Sequence, residues 1–231
     1  MLKKLNAYFH FTKGELVLWI SSVTLVTASF FIFDRESFLS LTASLVGVTS
    51  LIFCAKGNPI GQMLMIIFSL LYGVISYSFS YYGEMITYLG MTLPMSVISL
   101  VSWLRNPFKG MHSVVKIGSI KKYEPIFISI FAIAVTVLFY FILRYFHTAN
   151  LIPSTLSVTT SFIAVYLTSR RIPLFAAAYA ANDLVLIVLW SIATFEDVNY
   201  ASVLTCFVVF FVNDIYGFLS WRKMKKIQSA E

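Results

Sequence analysis

Charge is scarce in this chain. Only 12% of its 231 residues are Asp, Glu, Lys or Arg, while 59% are hydrophobic. An average soluble domain carries roughly 25% charged residues, so this composition excludes one and indicates a membrane protein. Cysteine is almost absent: Cys54 and Cys206 lie in separate apolar segments without paired spacing, which excludes a disulfide framework and a metal site. His10, His112 and His147 lie far apart in loops or at helix ends, with no acid–His or Cys–His spacing for a metal or a nucleophile. A Gly-rich phosphate loop is also lacking, which argues against ATP hydrolysis by this chain. No catalytic residue, metal or cofactor is expected.

Long apolar runs are what the chain has in abundance. Eight segments, at about 16–33, 37–54, 60–80, 84–103, 124–146, 151–169, 172–194 and 198–220, are each long enough to cross ~30 Å of hydrocarbon at ~1.5 Å per residue. Short loops separate them, and the one long connection is 105–123. Segment 16–33 follows basic residues but exceeds a usual signal-peptide core and lacks a small-residue cleavage site, so it reads as a retained helix. The aromatic content of 17% fits lipid-facing surfaces and interfacial belts.

A net charge of +7 would point to nucleic acid in a soluble protein, but placement explains it here. With the N-terminus inside, fifteen of the 17 Lys and Arg fall on the cytoplasmic side, leaving only Arg35 and Arg144 outside. Every loop agrees with the positive-inside rule. The expectation is an all-α integral protein of a bacterial inner or plasma membrane, with eight spans and both termini cytoplasmic. Its surroundings are the lipid bilayer, and no nucleic-acid partner is expected.

The chain also resembles itself. Residues 40–59 align with 154–173, placing Lys56 under Arg170 and Pro59 under Pro173, and residues 99–105 align with 217–223, placing Trp103 under Trp221. Three helices plus one connector return the chain to its starting side, so the second triplet repeats the first in parallel, as in SWEET-type sugar transporters. The expected organisation is an N-terminal tail and additional helix (1–36), a first triplet (37–104), a loop and linker helix (105–148), and a second triplet with a basic tail (149–231). Such a 3+1+3 core around a pseudo-two-fold axis encloses a central path.

Two Asn-Asp pairs, Asn182-Asp183 and Asn213-Asp214, interrupt the apolar runs of the last two segments. A carboxyl group at bilayer depth costs at least ~2.5–3.5 kcal/mol on insertion scales, so such groups face a protein interior or an aqueous cavity. Tyr179, Asn182, Asp183 and Trp190 largely share one helical face, and Asn213, Tyr216, Gly217 and Ser220 share another, with Asp214 adjacent. Amide, carboxylate and phenol groups suit ribose hydroxyls and a carboxamide or base edge, while aromatic faces suit a heterocycle, especially a cationic one. The alternative for each Asn or Asp is interhelical bonding. Tyr72 and Gln62 are further candidates from the first triplet, and Glu84 sits at the outer mouth. The 114-residue offset sets Asn182 and Asp183 against Phe68 and Ser69, so the polar chemistry lies mostly in the second triplet.

The basic loop AKGNP, the YYGEM motif at 81–85, Leu93-Pro94-Met95, Trp103, Asn182 and the Asn213-Asp214-Ile215-Tyr216-Gly217 run together resemble PnuC-type nicotinamide riboside transporters over residues 38–226. The resemblance implies a homotrimer. It also implies facilitated diffusion of nicotinamide riboside or a related non-phosphorylated vitamin or nucleoside, trapped by a cytosolic kinase. Two departures concern the substrate: the family usually has Trp shortly before the Asn of the penultimate helix, where this chain has the stretch Phe175-Ala176-Ala177-Ala178-Tyr179, and Phe68 stands where the family has Asn. Relatives for thiamine, riboflavin or deoxynucleosides therefore stay open. So do a substrate-binding subunit needing an energising partner and, less favoured, an enzyme using Asp183 and Asp214 as acid and base.

Overall fold

The computed structural model describes residues 11–78, 82–148 and 150–230; Tyr81 of the YYGEM motif lies outside them. Its helices are α1 (Lys13–Phe33), α2 (Phe38–Ala55), α3 (Ile60–Ser78), α4 (Tyr82–Thr87), α5 (Leu93–Leu104), α6 (Glu124–Tyr145), α7 (Leu151–Ser169), α8 (Leu174–Glu196) and α9 (Ala201–Ser229). With α4 and α5 taken as one span, eight spans among the described residues are long and apolar enough to cross a membrane.

The fourth span is not a regular helix. A π-helical turn, Tyr88–Thr92, joins α4 to α5, and the Leu93 amide donates to the Tyr88 carbonyl five residues back. Pro94 supplies the reason. It has no N–H, and in a regular helix its ring would press on the carbonyl of Gly90. One extra residue in the turn relieves that clash and swings Tyr88 inward.

The two triplets end their first helices identically. After α2, Gly57 N–H bonds the Cys54 carbonyl at 2.9 Å and Asn58 N–H bonds the Phe53 carbonyl at 3.0 Å. After α7, Arg171 N–H bonds the Thr168 carbonyl at 2.9 Å and Ile172 N–H bonds the Leu167 carbonyl at 3.0 Å. Both are Schellman caps with a left-handed residue, Gly57 at φ 66° and Arg171 at φ 58°. All four residue pairs are 114 apart, so the repeat seen in the sequence is also one of backbone geometry. The crossed helix contacts agree: α5 packs on α7 as α9 packs on α2.

Two other stretches gained structure over their sequence reading. The 105–123 connection contains an antiparallel hairpin, β1 (Pro107–Phe108) and β2 (Met111–Val115), turned at Gly110 with φ 80°. The last span, expected over 198–220, begins with a 3-10 turn (Val198–Tyr200), and its helix continues to Ser229. That extension buries Trp221 and Met224 against Phe108, Val114 and Val115 of the hairpin.

Helix α1 starts with a capping box between Thr12 and Glu15. Its buried polar residues Glu15, Ser22 and Ser29 are seven apart and run along α9. Tyr216 Oη donates to Glu15 Oε1 (2.8 Å), Asn213 Nδ2 to Ser22 Oγ (2.9 Å), and Ser29 Oγ to Thr205 Oγ1 (3.0 Å). Glu15 also pairs with buried Lys56 at 2.9 Å, which ties α1 to the end of α2.

Candidate functional site

A small cavity of about 70 Å³ lies between the triplets, where α8 and α9 face α3, α4 and the π turn. Its polar wall carries Tyr179, Asn182 and Asp183 from α8, Asp214 from α9, and Glu84 from α4. The carboxyl groups of Asp183 and Asp214 face each other, and both residues are buried. Asp183 Oδ2 has no hydrogen-bond partner among the described residues. Asn182 accepts hydrogen bonds at Oδ1 from Thr160 (2.8 Å) and Ser161 (3.0 Å), which fixes its side chain and leaves the NH2 group to offer a ligand. The Asn182 environment thus combines the two alternatives left open by the sequence: it bonds a neighbouring helix and also lines the cavity.

A larger vestibule of about 450 Å³ adjoins this cavity. It is lined by Tyr72, Trp190 and Tyr200, and by the acidic residues Asp34, Glu36, Glu84 and Asp197. Phe68, Phe207, Phe210 and Glu84 border both spaces, so three phenyl rings and one carboxyl group form the partition between them. The rings of Tyr72 and Tyr88 meet at 4.4 Å, tilted by 44°, and Trp190 lies parallel to Phe207 at 6.4 Å. The vestibule falls within the ~300–1,000 Å³ of typical ligand pockets, whereas the inner cavity is far below it. A nucleoside-sized ligand fits the vestibule as it stands and enters the inner cavity only if the partition moves.

The nine candidate residues therefore separate into three groups. Tyr179, Asn182, Asp183 and Asp214 meet at the inner cavity, and Tyr72 and Trp190 line the vestibule. Asn213, Tyr216 and Gln62 border neither space. Asn213 and Tyr216 bond Ser22 and Glu15 on α1, and Gln62 Nε2 reaches Cys54 Sγ at 3.2 Å. Asn213 and Tyr216 do share a helical face, but α1 covers that face. The heptad of Glu15, Ser22 and Ser29 was the sequence signal for this packing.

Sequence reasoning missed Tyr88, Phe207 and Phe210 as lining residues, and it assigned Glu84 only to the mouth. The π turn turns Tyr88 inward, and no helical periodicity of the segment carries that information. Phe175, at a departure from the family pattern, packs into an aromatic cluster with Trp103 and Trp221 and lies outside the cavity. Both tryptophans are themselves fully buried.

Residues 37–223 match the family described as "Nicotinamide mononucleotide transporter". The chain is 24% identical over 220 residues to the nicotinamide riboside transporter PnuC of Neisseria mucosa, covering 93% of this chain and 83% of that protein. Its fold superposes on the crystal structure of the vitamin B3 transporter PnuC with a TM-score of 0.80 at 21% identity, covering 95% of this chain and 94% of the other. With most of its length matched and eight apolar spans in place, the chain is a multi-pass membrane protein belonging to the nicotinamide mononucleotide transporter family.

Proposed function

We propose that this protein carries nicotinamide riboside, or a closely similar cationic and non-phosphorylated heteroaromatic vitamin, across the membrane by uniport. One observation carries the reading: the path through vestibule and cavity is lined by six acidic side chains and, among the described residues, by no Lys or Arg. A phosphate group would enter such a path against like charge and find no basic partner. That favours the riboside named for the Neisseria relative over the mononucleotide in the family description. Along this path a pyridinium ring meets the acidic side chains and the aromatic walls of Tyr72, Tyr88 and Trp190.

The same chemistry ranks the alternatives. Thiamine, also a cationic heteroaromatic, fits the acidic path, whereas riboflavin and deoxynucleosides gain nothing from its charge. In this reading the basic end of the molecule faces the cytoplasm. A cytosolic kinase traps the imported riboside, because the phosphorylated product no longer suits the path. The reading also includes a homotrimer: light scattering of the detergent-solubilised protein returning three copies supports it, and one copy contradicts it.

Purified protein in liposomes tests the transport reading. Uptake of labelled nicotinamide riboside down its gradient, with no ATP and no other protein, is the expected result. Binding without flux would instead identify a capture subunit that needs an energising partner.

A further inference from the structure

The Ser-Trp pairs at the ends of the two triplets make the same bonds across the interface between them. Trp103 Nε1 on α5 donates to the Thr168 carbonyl on α7 at 2.9 Å, and Trp221 Nε1 on α9 donates to the Cys54 carbonyl on α2 at 2.8 Å. The preceding serines act alike: Ser102 Oγ donates to the Ser169 carbonyl at 2.6 Å and Ser220 Oγ to the Ala55 carbonyl at 2.8 Å. Donors are 118 residues apart and acceptors 114, the two offsets of the repeat. Each acceptor is a carbonyl of the last helical turn, and those of Cys54 and Thr168 also accept the cap N–H groups of Gly57 and Arg171. The two indole rings meet at 5.4 Å between the triplets.

The position of this clasp is as informative as its symmetry. Tyr179, on the wall of the inner cavity, touches Phe175 at 6.2 Å, and Phe175 lies 4.8 Å from Trp221 and 6.4 Å from Trp103. The aromatic cluster is thus the floor of the cavity toward the basic end. Beneath it the 105–123 segment straps the two caps together. Val115 N–H donates to the Gly57 carbonyl and Gly118 N–H to the Arg171 carbonyl, both at 2.9 Å. The opposite end, by contrast, opens into the vestibule.

We propose that Ser102-Trp103 and Ser220-Trp221 form a two-fold clasp that is the gate at the basic end, and that the inner cavity reaches that end only when both halves release. The four bonds join the triplets to each other and not to themselves, so relative movement of the triplets must break them. Because the two indole bonds are equivalent, loss of either N–H should loosen the gate to the same degree.

Cys54 provides a native reporter, because it is buried and its own carbonyl is held by Trp221. The measurement is the rate at which N-ethylmaleimide labels Cys54 in ligand-free protein in liposomes, in a Cys206→Ser background. Trp103→Phe and Trp221→Phe keep an aromatic ring and remove the N–H. Each is expected to accelerate labelling about three- to tenfold, the population shift from losing one hydrogen bond of ordinary strength, and the two rates should agree within about twofold. Ser102→Ala and Ser220→Ala provide milder variants if a Phe variant folds poorly. Thr136→Val, which removes the 2.7 Å Thr136–Thr159 bond between α6 and α7, should leave the rate unchanged at a similar loss of thermal stability. Unchanged labelling in the clasp variants overturns the gate, as does acceleration that merely follows melting temperature through Thr136→Val. This readout needs no transported ligand, so it stands or fails separately from the proposed substrate.

Discussion

Asp183 on α8 and Asp214 on α9 point at each other at the inner end of the path, and Asp183 Oδ2 has no hydrogen-bond partner among the described residues. A folding core gains nothing from this arrangement, since an unpartnered acidic atom in a buried site is a cost of several tenths to a few kcal/mol. Stability sacrificed at one position while the surroundings are well packed is characteristic of a binding site.

Asp183→Asn therefore has opposite effects on stability and on binding. The amide relieves the facing acidic pair, and the melting temperature is expected to stay level or rise. Loss of a charged hydrogen-bond partner, worth about 1.5–3 kcal/mol, should weaken nicotinamide riboside binding roughly tenfold or more. Thermal unfolding and calorimetric titration of the same preparation check both halves. A lower melting temperature with unchanged affinity would make Asp183 structural.

The sequence revealed the spans and the repeat because these depend on hydropathy and on residue identity, which are read residue by residue. It revealed Tyr179, Asn182, Asp183 and Asp214 because polar groups at bilayer depth stand out. It misdirected Asn213 and Tyr216 for a physical reason: α9 is covered on more than one face, and Asn213 lies about 100° around the helix from Asp214. Periodicity groups residues onto a face without identifying what that face meets. Tyr88 escaped for a related reason, because the Pro94-induced π turn changes the angular register of the helix.

Gly47 tests the partition. A β-carbon there would lie 2.5 Å from Phe210 Cζ and 3.1 Å from Phe68 Cδ2, so Gly47→Ala forces the rings apart. Overpacking of this kind costs about 1–3 kcal/mol. Adding Phe210→Leu should recover part of the lost stability, a coupling of at least ~0.5 kcal/mol in a double-mutant cycle of thermal unfolding. Strictly additive effects would show that the two side chains do not share the space.

The Glu15–Lys56 pair tests the attachment of α1. Both side chains are buried, so Glu15→Gln removes a charged partner from the Lys56 ammonium and is expected to lower the melting temperature. The double substitution Glu15→Gln, Lys56→Met removes both charges and should restore most of that loss. Melting temperatures of the three proteins decide the matter; equal destabilisation by the single and double changes would contradict it.

Selection of a cation without phosphate is the property that we propose for the acidic path. Calorimetric titration of the purified protein with nicotinamide riboside and with nicotinamide mononucleotide, under the same salt, tests it most directly. The riboside is expected to bind at least about tenfold more tightly, a difference of ~1.4 kcal/mol, and Asp183→Asn is expected to narrow the gap. Equal or tighter binding of the mononucleotide would contradict it.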